Sequence, residues 1–264
     1  MTIAAASRRP VVALIQARMG SDRFPGKMMA DLCGFPVIHW VLKRVAMARR
    51  LDKVVLTTSA KKRDDALVDV AAALGLESYR YEPEDDVLGR FAAAARATGA
   101  ASVVRVCADG PLVDADVVDH AVAAFLEADA DYAFNHIPRL DGRYPDGLGA
   151  EVASEELIYQ LDREALTPFN REAPFSYIWQ HPGRFRIHAV DCPPEWDNRG
   201  ADIRLDIDWP ADLARMNTLC RDLTMAAPAA DILARWRTLY ADFDGDLYPE
   251  RSLRPAATAV AANF

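Results

Sequence analysis

From Val11 the chain alternates short apolar runs with longer amphipathic stretches. Val11 to Ile15 carries no polar side chain, as expected of a strand buried on both faces. Pro36 then opens a stretch in which Val37, Trp40, Val41, Arg44 and Val45 recur with helical spacing. Lys53 to Thr57 reads as a second buried strand. Leu67, Val70, Ala71 and Leu74 mark a helix that Gly75 stops. The cycle repeats: a strand at Glu77–Tyr81, a helix entered by Asp85 and Asp86 and closed by Gly99, a strand at Ser102–Val106, and a helix capped by Asp114. Strand and helix alternating in this way predict parallel βαβ units in an α/β, doubly wound, mostly parallel sheet.

After residue 130 the rhythm changes. Scattered Gly, Pro and Asp with short β-prone pieces predict a hairpin or loop excursion, followed by a helix at 154–166 and a strand at 185–190. Ile203–Asp208 reads as a further strand, and Pro210 opens the helix after it. The expected layout is a main domain over 10–224 with the excursion at 130–190, a helical extension at 225–252 and a mobile tail at 253–264. No internal repeat is visible.

Composition narrows the function classes. The 264 residues are 51% hydrophobic and 27% charged, ordinary for a soluble protein. A net charge of −8 argues against a nucleic-acid or anionic-membrane surface, though local cations can still hold a small anion. Cys33, Cys107, Cys192 and Cys220 form no C-x-x-C pair, which suits reduced thiols and a cytoplasmic location. No apolar run approaches the roughly 18 residues of a membrane span, and the N-terminal apolar run is too short for a signal sequence. His136, His181 and His188 have no metal-ligand spacing and read as structural or exposed.

The stretch after the first strand, QARMGSDRFPGKMM (Gln16–Met29), carries the clearest chemistry. It lies at a strand's carboxyl end, where open α/β sheets bind ligands. Gly20 and Gly26 permit close backbone approach, Arg18, Arg23 and Lys27 concentrate positive charge, and Ser21 adds a hydroxyl donor. It is no Walker A loop: five residues separate Gly20 from Gly26, and Met28 follows Lys27 where that motif needs Ser or Thr. The plain alternative is a surface loop with solvated basic residues. Asp109, in the turn after Val106, and Asp208, just before Pro210, are candidate carboxylates for the same cleft. Each could equally be a turn or capping residue. Asp206 and Asp208, two apart, would share a strand face.

Ala17-Arg18-x-x-Ser21-x-Arg23-x-Pro25-Gly26-Lys27 resembles the signature loop of sugar-activating cytidylyltransferases, most of all the spore-coat polysaccharide F type. This group also includes the acylneuraminate and 3-deoxy-manno-octulosonate cytidylyltransferases. The resemblance continues through TTSAKKRDDALV, EDDVLGRF, VVRVCADGPLVD, YPDGLGAEV and DIDWPADL, covering roughly residues 10 to 224. It implies a Rossmann-like sheet of the nucleotide-diphospho-sugar transferase type. It also implies a nucleotide site of Ala17, Arg18, Gly20, Ser21, Arg23, Lys27 and Asp109, with Lys27, Arg23 and Arg18 catalytic. The resemblance further places Mg²⁺ on Asp109 and Asp208, a cation suited to carboxylate and phosphate oxygens. Trp209 stands where the family has Thr, Gly149 where it has Asp, and Ala173 where His is common.

The implied reaction joins CTP and a small acidic acceptor, releasing pyrophosphate, in an enzyme commonly dimeric. Arg90, Asp146, Glu151 and Arg171 are the candidate acceptor-binding residues. Arg171 could hold a carboxylate bidentately. Arg90 could equally be a solvated helix arginine, and Asp146 a turn residue before an edge strand. No residue stands out as a general base. A nucleotide-sugar-dependent glycosyltransferase, with Asp206-Ile207-Asp208 as a D-x-D, and a nucleotide-binding module without catalysis are the alternatives.

Overall fold

Among the described residues the strands are β1 (Val11–Gln16), β2 (Asp31–Leu32), β3 (Phe35–Pro36), β4 (Lys53–Ser59), β5 (Glu77–Tyr81), β6 (Ser102–Cys107), β7 (Tyr132–Phe134), β8 (Glu151–Ser154) and β9 (Ile187–Ala189). The α-helices are α1 (Val37–Val45), α2 (Asp65–Ala73), α3 (Val87–Thr98), α4 (Ala115–Glu127), α5 (Glu155–Glu164), α6 (Pro168–Glu172), α7 (Ser176–Gln180), α8 (Pro210–Cys220) and α9 (Ala229–Tyr240). They come from a computed structural model in which residues 10–135, 143–198, 201–241 and 246–250 are described. His136 and the tail from Leu253 lie outside the described residues.

The main sheet runs β5-β4-β1-β6-β8-β7-β9. β1, β4, β5 and β6 are parallel, and β8 is antiparallel to both its neighbours, β6 and β7. Alternation along β1 divides the core. Val11, Ala13 and Ile15 face the layer of α1, α4 and α8, while Val12 and Leu14 face α3 and α5. Burial on both faces is what the all-apolar spelling of β1 requires. Helix signals act where they stand: Asp114 caps α4 by accepting from the amides of Asp116 and Val117, and left-handed Gly99 ends α3.

Three expectations change. The described part of 130–190 supplies β7, β8 and β9 to the main sheet, with β8 in its interior instead of at an edge. Ile203–Asp208 is no strand of the sheet. It forms one isolated bridge, Asp146 to Arg204, and is otherwise tied down by single backbone bonds from Leu205 and Ile207. The helix through 39–50 is shorter than its spacing suggests, since α1 ends at Val45.

The chain leaves β1 toward β4 on one side and returns to β6 on the other. The carboxyl ends of β1 and β6 therefore flank a topological switch point, where open α/β sheets place ligands.

Candidate active site

A cavity of about 780 Å³ opens at that switch point, walled by Gln16–Arg18, Gly20–Arg23, Lys27, Met28, Arg105, Cys107–Asp109, Glu172 and Trp209. The loop after β1 is folded on itself. Met19 O accepts from the amides of Ser21 (3.1 Å) and Gly26 (3.3 Å), and Gly26 has φ 76°, a conformation that favours glycine. Ser21 Oγ accepts from the Phe24 amide at 3.4 Å, so its hydroxyl shapes the loop as well as facing the cavity. Met28 turns into the apolar core. Its packing explains an apolar residue where a P-loop has Ser or Thr.

Asp64 anchors this loop to β4. Its carboxylate accepts from the Met19 amide (2.9 Å), the Thr58 hydroxyl (2.9 Å), the Ser59 amide (3.2 Å) and the Ser59 hydroxyl (2.5 Å). Burial opposes its charge, but the donors from Ser59, Met19 and Thr58 outweigh burial and hold the carboxyl below its ordinary range. The sequence reading passed over Asp64.

Lys27 lies between the two candidate metal carboxylates. Its Nζ donates to Ile207 O at 2.7 Å and stands 3.3 Å from Asp208 Oδ1 and 3.7 Å from Asp109 Oδ2. Arg23 Nη2 reaches Asp208 Oδ1 at 2.8 Å. Trp209, not Asp208, is the N-cap of α8, and Asp212 accepts from the amides of Asp208 (2.9 Å) and Trp209 (2.8 Å), while Asp208 Oδ1 meets Arg23 and Lys27. Backbone bonds hold the segments together, with Ile207 N donating to Asp109 O at 2.7 Å and Leu205 N to Asp146 O at 2.8 Å. Gly147 is required at this crossing: φ is 90°, and a Cβ there would sit 2.6 Å from the Leu205 carbonyl carbon.

Arg18 crosses the cleft mouth, pairing with Asp85 and with Glu172 at 2.9 Å. The guanidinium thus already meets anionic groups where a phosphate would compete.

The four candidate acceptor residues separate. Arg171 is not free to hold an acceptor. It forks onto Asp86 at 2.6 and 2.8 Å and onto Asp162 Oδ1 and O at 3.0 Å, locking α6 to α3 and α5. Arg90 is not a solvated helix arginine: it is 1% exposed, and Nε and Nη1 are buried without a hydrogen-bond partner among the described residues. Burial lowers its pKa, and its charged neighbours are Arg18, Asp64, Glu84 and Asp86. Asp146 lies 3.7 Å from Arg204. Glu151 is buried and engaged by Arg105 and the Tyr132 hydroxyl.

Arg105 and Cys107 line the cavity and were missed by the sequence reading. The signal was present: in Val103-Val104-Arg105-Val106-Cys107 the odd positions project to the opposite face from Val104 and Val106. Burial pushes the Cys107 thiol up to about 12. Gln16 also lines the cavity, and its Oε1 is buried with no partner among the described residues.

The donor set suits a hard divalent cation. Asp109 and Asp208 converge within reach of one ammonium group, and no group of three or more His, Cys, Asp or Glu among the described residues could hold a metal by itself. Any cation here would draw its remaining ligands from phosphate and water, the habit of Mg²⁺. No helix among the described residues is long and apolar enough to cross a membrane.

A sequence model of the family described as Cytidylyltransferase matches residues 12–232. The spore coat polysaccharide biosynthesis protein SpsF of Bacillus subtilis is 28% identical over 214 residues, 79% of this chain and 85% of that one. A 3-deoxy-manno-octulosonate cytidylyltransferase of Geobacter sulfurreducens is 34% identical over 117 residues, 44% of this chain and 46% of that one. Among solved structures, a cytidylyltransferase from Leptospira borgpetersenii superposes with a TM-score of 0.81 at 25% identity, covering 89% of this chain and 96% of that one.

Proposed function

Because the chain belongs to the cytidylyltransferase family and is a nucleotidyltransferase enzyme, we propose that it transfers a cytidylyl group from CTP to a small sugar acid, releasing pyrophosphate. The observation that carries this reading is Lys27 held between Asp109 and Asp208 at the switch-point cavity. The choice of CTP and of an acid follows what similar proteins are named for.

The acceptor oxygen attacks the α-phosphorus in line, the α–β bridging bond breaks, and pyrophosphate leaves. Lys27, Arg23 and Arg18 orient the triphosphate and offset its charge, and the loop backbone from Ala17 to Ser21 wraps it. Preorganised cations of this kind act mainly by positioning and electrostatics. Asp109 and Asp208 would hold Mg²⁺, which supplies charge neutralisation at the leaving pyrophosphate. Asp146 and Glu151 stand on the acceptor side, beyond Asp109 from the phosphate loop. The exposed Leu166, just after α5, and Phe169, in α6, offer apolar contacts for a homodimer, to be read by light scattering.

The test is a pyrophosphate-release screen of CTP, UTP, GTP and ATP against sugar acids, simple carboxylates and phosphonates. Release confined to CTP with an acid supports the reading. Sugar transfer from a supplied nucleotide sugar, or nucleotide binding with no turnover, would replace it. Asp109→Asn is expected to abolish Mg²⁺-dependent release.

A further inference from the structure

We propose that Arg105 reads the acid group of the acceptor, with Glu151 and Tyr132 holding its guanidinium in place. The proposal deepens the cytidylyl-transfer reading and rests on it for the identity of the reaction.

The strand pattern places the residue. Arg105, Cys107 and Asp109 succeed one another on one side of β6 and its following turn, so the guanidinium lies deeper in the cleft than the metal carboxylate. β6 has the phosphate-loop strand β1 on one flank and β8 on the other. Arg105 and Asp109 line both the main cavity and a smaller chamber of about 20 Å³ bounded by Asp146, Glu151 and Asp206. Arg105 therefore stands where the main cavity meets the chamber on the β8 side, opposite Glu151.

Its hydrogen bonding is incomplete in a particular way. Nη1 pairs with Glu151 Oε2, and the Tyr132 hydroxyl donates to Glu151 Oε1. Nε is buried with no partner among the described residues. A buried donor left unpaired is costly, and an orphan in a cleft points to a ligand that completes it. The Nε edge of a guanidinium matches a carboxylate bidentately.

The other cations near the cleft have partners away from the smaller chamber. Lys27 and Arg23 sit on Asp208, Arg18 on Asp85 and Glu172, and Arg171 on Asp86 and Asp162. Arg90 also has orphaned nitrogens, but it is not among the residues lining either chamber. Of the cations lining the main cavity, Arg105 is the one that also lines the smaller chamber.

The test compares wild type with Arg105→Lys and with the double variant Arg105→Met, Glu151→Gln, which removes both charges and leaves neither buried alone. The probes are 3-deoxy-manno-octulosonate and its carboxamide, read by saturation-transfer NMR for binding and by pyrophosphate release for turnover. Wild type is expected to favour the acid over the amide by about 100-fold, from the worth of a bidentate charge-assisted contact. The double variant should lose that preference and weaken acid binding by about 30- to 100-fold, while Mg²⁺–CTP affinity stays within about threefold. Arg105→Lys should recover part of the acid preference. Equal acid binding in wild type and double variant, an equal loss for CTP, or no acid binding to wild type would overturn the role of Arg105. Acid binding through Arg105 with no pyrophosphate release would defeat the cytidylyl-transfer reading alone.

Discussion

Replacing Asp64 with Asn tests whether the phosphate loop is held from below. The buried carboxylate uses Oδ1 for the Met19 amide and Oδ2 for Thr58 and Ser59. An Asn oxygen can serve one side only. If it keeps Thr58 and Ser59, the new NH₂ group faces the Met19 N–H, donor against donor. If it turns over, three donors lose their acceptor. Either way one or more buried hydrogen bonds to a charged acceptor are lost, costing about 2–4 kcal/mol. Urea unfolding at pH 7 should report this loss, and Mg²⁺–CTP affinity should fall with it as the Met19 end of the loop is released. The pH dependence follows from the sign of the shift. The Asp64 carboxyl is held below its ordinary value of 3.8, so its contribution is present above that value and lost as pH falls through the folded pKa. The stability gap between wild type and D64N should therefore narrow below pH 3.8. A variant with wild-type urea midpoint and wild-type CTP affinity would refute the anchoring role.

Lys27→Met should lower pyrophosphate release by about 10²- to 10³-fold, the usual cost of deleting a preorganised charge at a reacting centre, with thermal stability measured in parallel. Arg171→Met should destabilise the fold by about 2–3 kcal/mol, lowering Tm by roughly 5–10 °C in calorimetry, because Asp86 and Asp162 lose their partner. It should leave the acceptor KM near wild type; a large KM effect without destabilisation would return Arg171 to the acceptor site. With its thiol pushed up to about 12, Cys107 should alkylate slowly at pH 8, as peptide mapping after iodoacetamide treatment would show, and rapid CTP-protected labelling would contradict this environment.

Elements whose pattern follows local rules were legible. The all-apolar β1, the Asp114 cap and the Gly99 stop need only nearby residues, and each forms as its spelling suggests. The loop after β1 was legible as a candidate site because its cations and glycines are contiguous in sequence. Asp109 and Asp208 were legible as candidates, but their convergence on Lys27 depends on the Asp109–Ile207 backbone bond, which links residues distant in sequence. Arg90 and Arg171 show where local reading fails. Helical periodicity does not reveal which of two helix arginines is buried by the sheet and which is captured by carboxylates from other helices. Glu151 was a candidate only through the resemblance of its segment; the pairing of β8 on both sides, which sets it inside the sheet opposite Arg105, depends on strands distant in sequence. Arg105 itself was hidden by the apolar residues around it, although strand alternation already set it on the same side as Cys107.

The central claim is cleavage between the α and β phosphates of CTP with capture of CMP by an acid. Phosphorus NMR of the enzyme with Mg²⁺, CTP and the acid selected by the screen tests it directly. Pyrophosphate and a CMP ester of the acid rising in equal amounts is the outcome expected. Inorganic phosphate with CDP, or CTP unchanged with every acid tried, would contradict it.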